Sequence, residues 1–133
     1  MGIVIDGTLL SAVILKQSDW EKLAELIPNS STLDIAVMET LNAITNARKR
    51  KVIDEEVANK LFEALNEFAN SMKIYESKYY LEKAFKLAIK YGINTYSALY
   101  LALAEDLNLS LATLDVKQAK VAGKMGIEVI NIK

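Results

Sequence analysis

The chain has 133 residues, 52% of them hydrophobic and 25% charged, with a formal net charge of −1. It contains neither cysteine nor histidine, which excludes disulfides, thiolate and imidazole metal sites, cysteine nucleophiles and histidine general bases. The length suits one domain over residues 1–133, the small net charge excludes a globally basic nucleic-acid binder while leaving room for a local basic patch, and any metal must be held by oxygen, which favours Mg²⁺ or Mn²⁺.

The first residues, Met1-Gly2-Ile3-Val4-Ile5-Asp6, carry no basic stretch ahead of the apolar run and do not resemble a signal peptide. The run from Leu9 to Leu15 is too short to span a bilayer. A cytoplasmic protein with no membrane association is therefore expected. Ile3–Ile5 is a short β-branched run of the kind found in buried strands, and Asp6-Gly7 ends it. Thr8–Lys16 is apolar almost all round and predicts a buried helix. Ser18-Asp19-Trp20-Glu21 fits a capping box with Ser18 as N-cap and Glu21 at N3, opening a helix to about Ile27.

After a Pro28–Ser31 loop, Leu33–Ile35 reads as a second strand. Val37, Leu41 and Ile44 recur at helical spacing in a helix from Val37 to Lys51. Asp54 caps the next helix, which runs to about Ser71 with Glu55 and Glu56 at its positive end. Met72–Tyr75 predicts a strand and Ser77–Tyr91 a helix ended by Gly92. Asn94 or Thr95 caps a helix through Leu107. Ser110–Thr113 is a strand, Val116–Met125 a helix ended by Gly126, and Glu128–Ile132 a last strand. This alternation implies βαβ units and a three-layer α/β/α domain around a central, mainly parallel sheet.

Asp6 and Asp115 each follow an apolar strand, and parallel sheets bind ligands beyond the carboxyl ends of their strands. Glu39 lies early in the helix that follows the second strand, with Asn42 and Asn46 continuing its polar stripe. Carboxylates gathered without histidine or cysteine repel one another unless a cation joins them. The alternative is structural: Asp after a strand commonly caps the next helix, and Glu in a first turn complements the dipole.

Three segments together carry a family resemblance: Ile3-Val4-Ile5-Asp6, Val37-Met38-Glu39-Thr40-Leu41-Asn42-Ala43, and the block from Tyr96 through Thr113-Leu114-Asp115 to Lys120-Val121-Ala122. They resemble the small PIN-domain proteins, of which the VapC toxins are the main group. The resemblance implies a metal-dependent endoribonuclease that cleaves RNA phosphodiesters with Mg²⁺ or Mn²⁺, forms a homodimer and is inhibited by a small antitoxin. It puts Asp6, Glu39 and Asp115 on metal-binding acidic positions and Thr113 on the accompanying hydroxyl. Ser97 falls where the family usually has a further aspartate.

Neither Glu105 nor Asp106 can stand in for that aspartate, since each lies about 12–13 Å further along the same helix. Loss of one anionic ligand should weaken the ion roughly 10–100-fold. The chain is then a weakened or Mn²⁺-dependent nuclease on three carboxylates, a catalytically inactive PIN domain that binds protein or RNA, or a nuclease in which the serine is an engineered inactivating change. No glycine-rich phosphate loop follows a strand, which disfavours a nucleotide binder.

Arg48 and Arg50 belong to a basic run at the C-terminal end of the Glu39 helix, where they complement the dipole or contact the flanks of an RNA. Lys117, Lys120 and Lys124 form a basic stripe beginning beside Asp115, better placed for RNA. Tyr96 and Tyr100 suit base stacking or, at this helical spacing, core and dimer packing. Leu9, Leu10, Val13, Ile14, Trp20, Leu23 and Leu26 offer more apolar surface than one helical hairpin needs, which suggests a partner groove.

Overall fold

The computed structural model describes residues 2–132. Ile3-Val4-Ile5 forms β1 (Ile3–Ile5), and Val4 and Ile5 are wholly buried. The chain continues through α1 (Gly7–Ile14), α2 (Trp20–Ala24), β2 (Ser31–Leu33), α3 (Asp34–Lys49), α4 (Glu55–Asn70) and β3 (Lys73–Tyr75). A 3₁₀ turn at Ser77–Tyr80 leads into α5 (Leu81–Tyr91), followed by α6 (Thr95–Leu107), β4 (Ser110–Ala112) and α7 (Val116–Lys124).

All strand pairs are parallel, and the sheet order is β3-β2-β1-β4. From β1 the chain winds outward to β2 and β3, then returns to place β4 on the other side of β1. The gap between β1 and β4 is thus a topological switch point, where parallel sheets open a crevice at the carboxyl ends of their strands. Ile5 pairs with Ala112 there, so Asp6 and Thr113–Asp115 leave the sheet side by side.

Helices cover the sheet to give the three-layer α/β/α arrangement. α1, α3 and α4 pack on one another, and α6 packs against β1, β2 and β4 while carrying α5 and α7. In α6 every residue from Ser97 to Ala104 is buried, which explains why this helix reads as apolar on all sides. Asp54 caps α4 by accepting the Val57 N–H at 2.8 Å, and Asn94 caps α6 through Ser97 N–H at 2.8 Å. Gly92 adopts φ +65° at the end of α5, the left-handed conformation for which glycine is suited.

Four sequence expectations are corrected. Ser18 does not cap a helix: Asp19 precedes α2 with φ +63° and no side-chain cap, and α2 ends at Ala24 rather than Ile27. The second strand is Ser31–Leu33, two residues earlier than its hydrophobicity suggests. Its polar character is satisfied internally, since the buried Thr32 hydroxyl donates to Ile5 O at 2.6 Å. Residues 128–132 form no strand; Leu111 bridges Val129, with Leu111 N donating to Glu128 O and Ile130 N to Leu111 O. Finally, Leu9, Leu10, Val13, Ile14 and Leu23 are core residues, and Trp20 and Leu26 pack against that core, so most of the apolar surface expected to be spare belongs to the chain's own core.

Among the described residues no helix is long and apolar enough to cross a membrane.

Candidate active site

Asp6 ends β1 and caps α1. Its Oδ1 accepts the Leu9 N–H at 3.1 Å and the Thr8 hydroxyl at 2.7 Å, while Oδ2 accepts the Thr113 hydroxyl. Asp6 is 1% exposed. Burial pushes its pKa above the ordinary carboxylate value; the hydrogen bonds from Thr113, Thr8 and Leu9 pull it back, and the nearby Glu39 charge adds to the rise.

The same hydroxyls tie the two strand ends together. Leu114 N–H donates to Thr8 Oγ1 at 3.1 Å, and Asp115 N–H donates to Thr113 Oγ1 at 3.0 Å. Asp115 caps α7, its Oδ1 accepting the N–H groups of Lys117 at 3.0 Å and Gln118 at 3.2 Å. Its Oδ2 accepts the Ser97 hydroxyl at 3.2 Å. The capping reading of Asp6 and Asp115 is therefore correct, and it coexists with their facing the crevice.

Glu39 reaches the crevice from the second turn of α3, where its Oε1 accepts the Tyr100 hydroxyl at 2.6 Å. Burial, then the bond to Glu39 and the charges of Glu39 and Asp6, raise the Tyr100 pKa far above the ordinary phenol value, so this hydroxyl stays protonated and donating. Gly7 allows the approach. A β-carbon there would overlap Glu39 Oε1 and come within 3.3 Å of the Tyr100 oxygen. Because the β-carbon meets the far end of the Glu39 side chain, Gly7→Ala is expected to swing that carboxylate off Tyr100 at a cost within about 1 kcal/mol of stability, read as a nearly unchanged denaturant midpoint.

Asp6, Glu39, Asp115, Ser97, Tyr100 and Gln118 line one cleft of about 200 Å³, joined by Gly7, Thr8, Asn94 and Tyr96. Among the described residues no three acidic side chains by themselves close into a metal-holding group: Asp6 is held by two threonines, Glu39 by Tyr100 and Asp115 by Ser97. The donors are nevertheless all hard oxygens from carboxylates, hydroxyls and two amides, the set that suits Mg²⁺ or Mn²⁺. The buried Asp6, beside the charge of Glu39, favours a cation in the same cleft.

Of the residues singled out from sequence, Asn42 is exposed and does not line the cleft. The Ser97 hydroxyl does not cap its own helix, since Asn94 does so. Glu105 and Asp106 are engaged away from the cleft, by Lys83 at 2.6 Å and Tyr80 at 2.7 Å. Arg48, Arg50, Lys117, Lys120 and Lys124 are exposed and none lines the cleft. Lys120 borders a neighbouring trough of about 490 Å³ that shares Asp115 with it. Thr8, Gly7, the Tyr100–Glu39 bond and Gln118 escape a sequence reading; Gly7 and Thr8 directly follow Asp6, while Tyr100 and Gln118 lie at helical spacing, three after Ser97 and three after Asp115.

The PIN domain model matches residues 3–124. The chain belongs to the PIN-domain family. Ribonuclease VapC3 of Pyrobaculum aerophilum is 31% identical over 123 residues, which span 90% of this chain and 94% of that protein. Among solved structures, PAE2754 of P. aerophilum superposes with a TM-score of 0.72 at 22% identity, covering 90% of this chain and 78% of the other. A toxin-antitoxin complex from Klebsiella pneumoniae gives 0.67 at 20% identity over 95% of each chain. FitAcB of Neisseria gonorrhoeae gives 0.66 at 17% identity, covering 97% and 96%. These structural likenesses support the fold. The VapC3 match brings the chain to the VapC type within the family.

Proposed function

We propose that this PIN domain is an endoribonuclease of the VapC type that uses Mg²⁺ or Mn²⁺ held by Asp6, Glu39 and Asp115. The observation that carries this is the cleft at the β1–β4 switch point, where three carboxylates from separate elements share one oxygen-lined space. The match to a named ribonuclease over nearly the full length supports the same reading. A cation bound there supplies Lewis-acid polarisation of a phosphate oxygen and activation of the attacking water.

The chain's own groups organise the site. Thr8 and Thr113 fix both oxygens of Asp6. The protonated Tyr100 hydroxyl holds Glu39, and Ser97 orients Asp115. Lys117, Lys120 and Lys124 attract the RNA backbone along α7, with Arg48 and Arg50 on its more distant flank.

Ser97 favours a second reading, a catalytically silent PIN domain that binds RNA or protein, because the hydroxyl brings no charge to the cleft. Incubation of end-labelled single-stranded RNA with Mn²⁺, then with excess EDTA, separates the two. The nuclease reading predicts cleavage that EDTA abolishes. No cleavage by this chain, together with cleavage by Ser97→Asp, establishes the binding module.

A VapC-type role also brings a homodimer, a small antitoxin and a cytoplasmic location. Leu81, Phe85 and Ile89 recur at i, i+4 and i+8 on α5 and are 53%, 60% and 72% exposed, an apolar stripe suited to a protein partner. Sedimentation of this chain and of Phe85→Glu tests it: the dimer dissociates in the variant.

A further inference from the structure

We infer that the side-chain carbonyl of Gln118 is a neutral oxygen ligand, direct or through one water, for the divalent cation of the Asp6–Glu39–Asp115 cleft. The inference rests on the nuclease-site reading and names a group in that site beyond the acidic set and its hydroxyls.

Gln118 lines the cleft yet is 2% exposed. Among the described residues its Oε1 is the buried side-chain atom without a hydrogen-bond partner. Such an atom costs stability unless something on the ligand side satisfies it. The obvious structural role is already taken. Gln118 is the third residue of α7 after the Asp115 cap, and its N–H donates to Asp115 Oδ1 at 3.2 Å. A reciprocal capping box would turn its side chain back to the Asp115 N–H. That N–H donates instead to Thr113 Oγ1 at 3.0 Å, which frees the glutamine amide from the capping role.

Gln118 and Ser97 are joined through one carboxylate. Ser97 and Gln118 bond opposite oxygens of the same Asp115 carboxylate, the serine hydroxyl on Oδ2 and the glutamine N–H on Oδ1. An amide carbonyl is a hard, uncharged donor of the kind that completes oxygen coordination around such cations. It thus adds a ligand where Ser97 brings no carboxylate, without adding charge repulsion to the metal-free protein.

The test is calorimetric titration of Mn²⁺ into the unaltered protein, Gln118→Met and Gln118→Glu, with melting temperatures recorded with and without the ion. Gln118→Met keeps the shape and removes the carbonyl. It is expected to bind Mn²⁺ about 10–100-fold more weakly while melting at an unchanged or higher temperature without ion, because the unpartnered oxygen is gone. Gln118→Glu keeps an oxygen and adds charge; it should bind at least as tightly as the unaltered chain and melt lower without ion. Unchanged affinity in Gln118→Met overturns the inference. So does weakened affinity accompanied by a lower metal-free melting temperature, which marks a structural role. If the unaltered protein takes up no Mn²⁺, the nuclease reading itself fails and the inference falls with it.

Discussion

Replacing Asp6 with asparagine is expected to lower RNA cleavage by at least about 100-fold while raising the melting temperature of the metal-free protein. The first effect follows from removing a charged ligand, since the cation's contribution to the transition state is several kcal/mol and each ~1.4 kcal/mol is tenfold in rate. The second follows from burial. Asp6 is 1% exposed and its protonation is favoured by desolvation, so an uncharged isostere relieves a cost that the folded chain otherwise bears. Asparagine keeps an oxygen for the Leu9 N–H and the Thr8 hydroxyl and offers an N–H₂ to Thr113. Cleavage rates and scanning calorimetry on the same preparations check both signs. A purely capping aspartate would not show the loss of cleavage.

Ser97→Asp is expected to act in the opposite sense. A carboxylate placed beside Asp115, where the serine hydroxyl now sits 3.2 Å from Oδ2, repels it in the absence of ion and lowers the metal-free melting temperature. With Mn²⁺ present the same charge becomes a ligand. Affinity should rise about 10–100-fold, with faster cleavage at limiting ion. Neither acid further along α6 can substitute for it, because Glu105 and Asp106 are bound to Lys83 and Tyr80. Titration calorimetry and the Mn²⁺ dependence of the cleavage rate measure the change. An unaltered affinity would mean that position 97 does not face the ion.

The elements legible in the sequence are those in which local pattern and tertiary demand agree. β1 is a β-branched run buried on both faces, α4 has a cap and acidic first turn, and α5 ends at a glycine. Asp6 and Asp115 are legible because parallel topology fixes what lies beyond a strand end. β2 is displaced because its strand residues, Ser31 and Thr32, are polar and buried, the Thr32 hydroxyl being satisfied by a hydrogen bond to Ile5 that no local pattern reveals. α2 misled because a left-handed Asp19 separates Ser18 from the helix. The apolar face of α1 and α2 suggested a partner groove because the sequence does not say how much core surrounds it.

The same distinction holds within the site. Each acid is visible from its own neighbours, whereas Tyr100 on Glu39 joins residues 61 positions apart and Thr113 on Asp6 joins residues 107 apart. Gly7 matters for a close approach by Glu39 rather than for its own turn. Gln118 sits inside an amphipathic helix and is distinguished only by a carbonyl that finds no partner in the folded chain.

The most direct measurement is the rate of single-stranded RNA cleavage by this chain in Mn²⁺, alongside Asp6→Asn prepared identically. Cleavage by the unaltered chain that EDTA abolishes and Asp6→Asn lacks is the predicted result. Equal rates from both proteins, or the absence of cleavage by either at saturating Mn²⁺, would contradict a nuclease that works on three carboxylates.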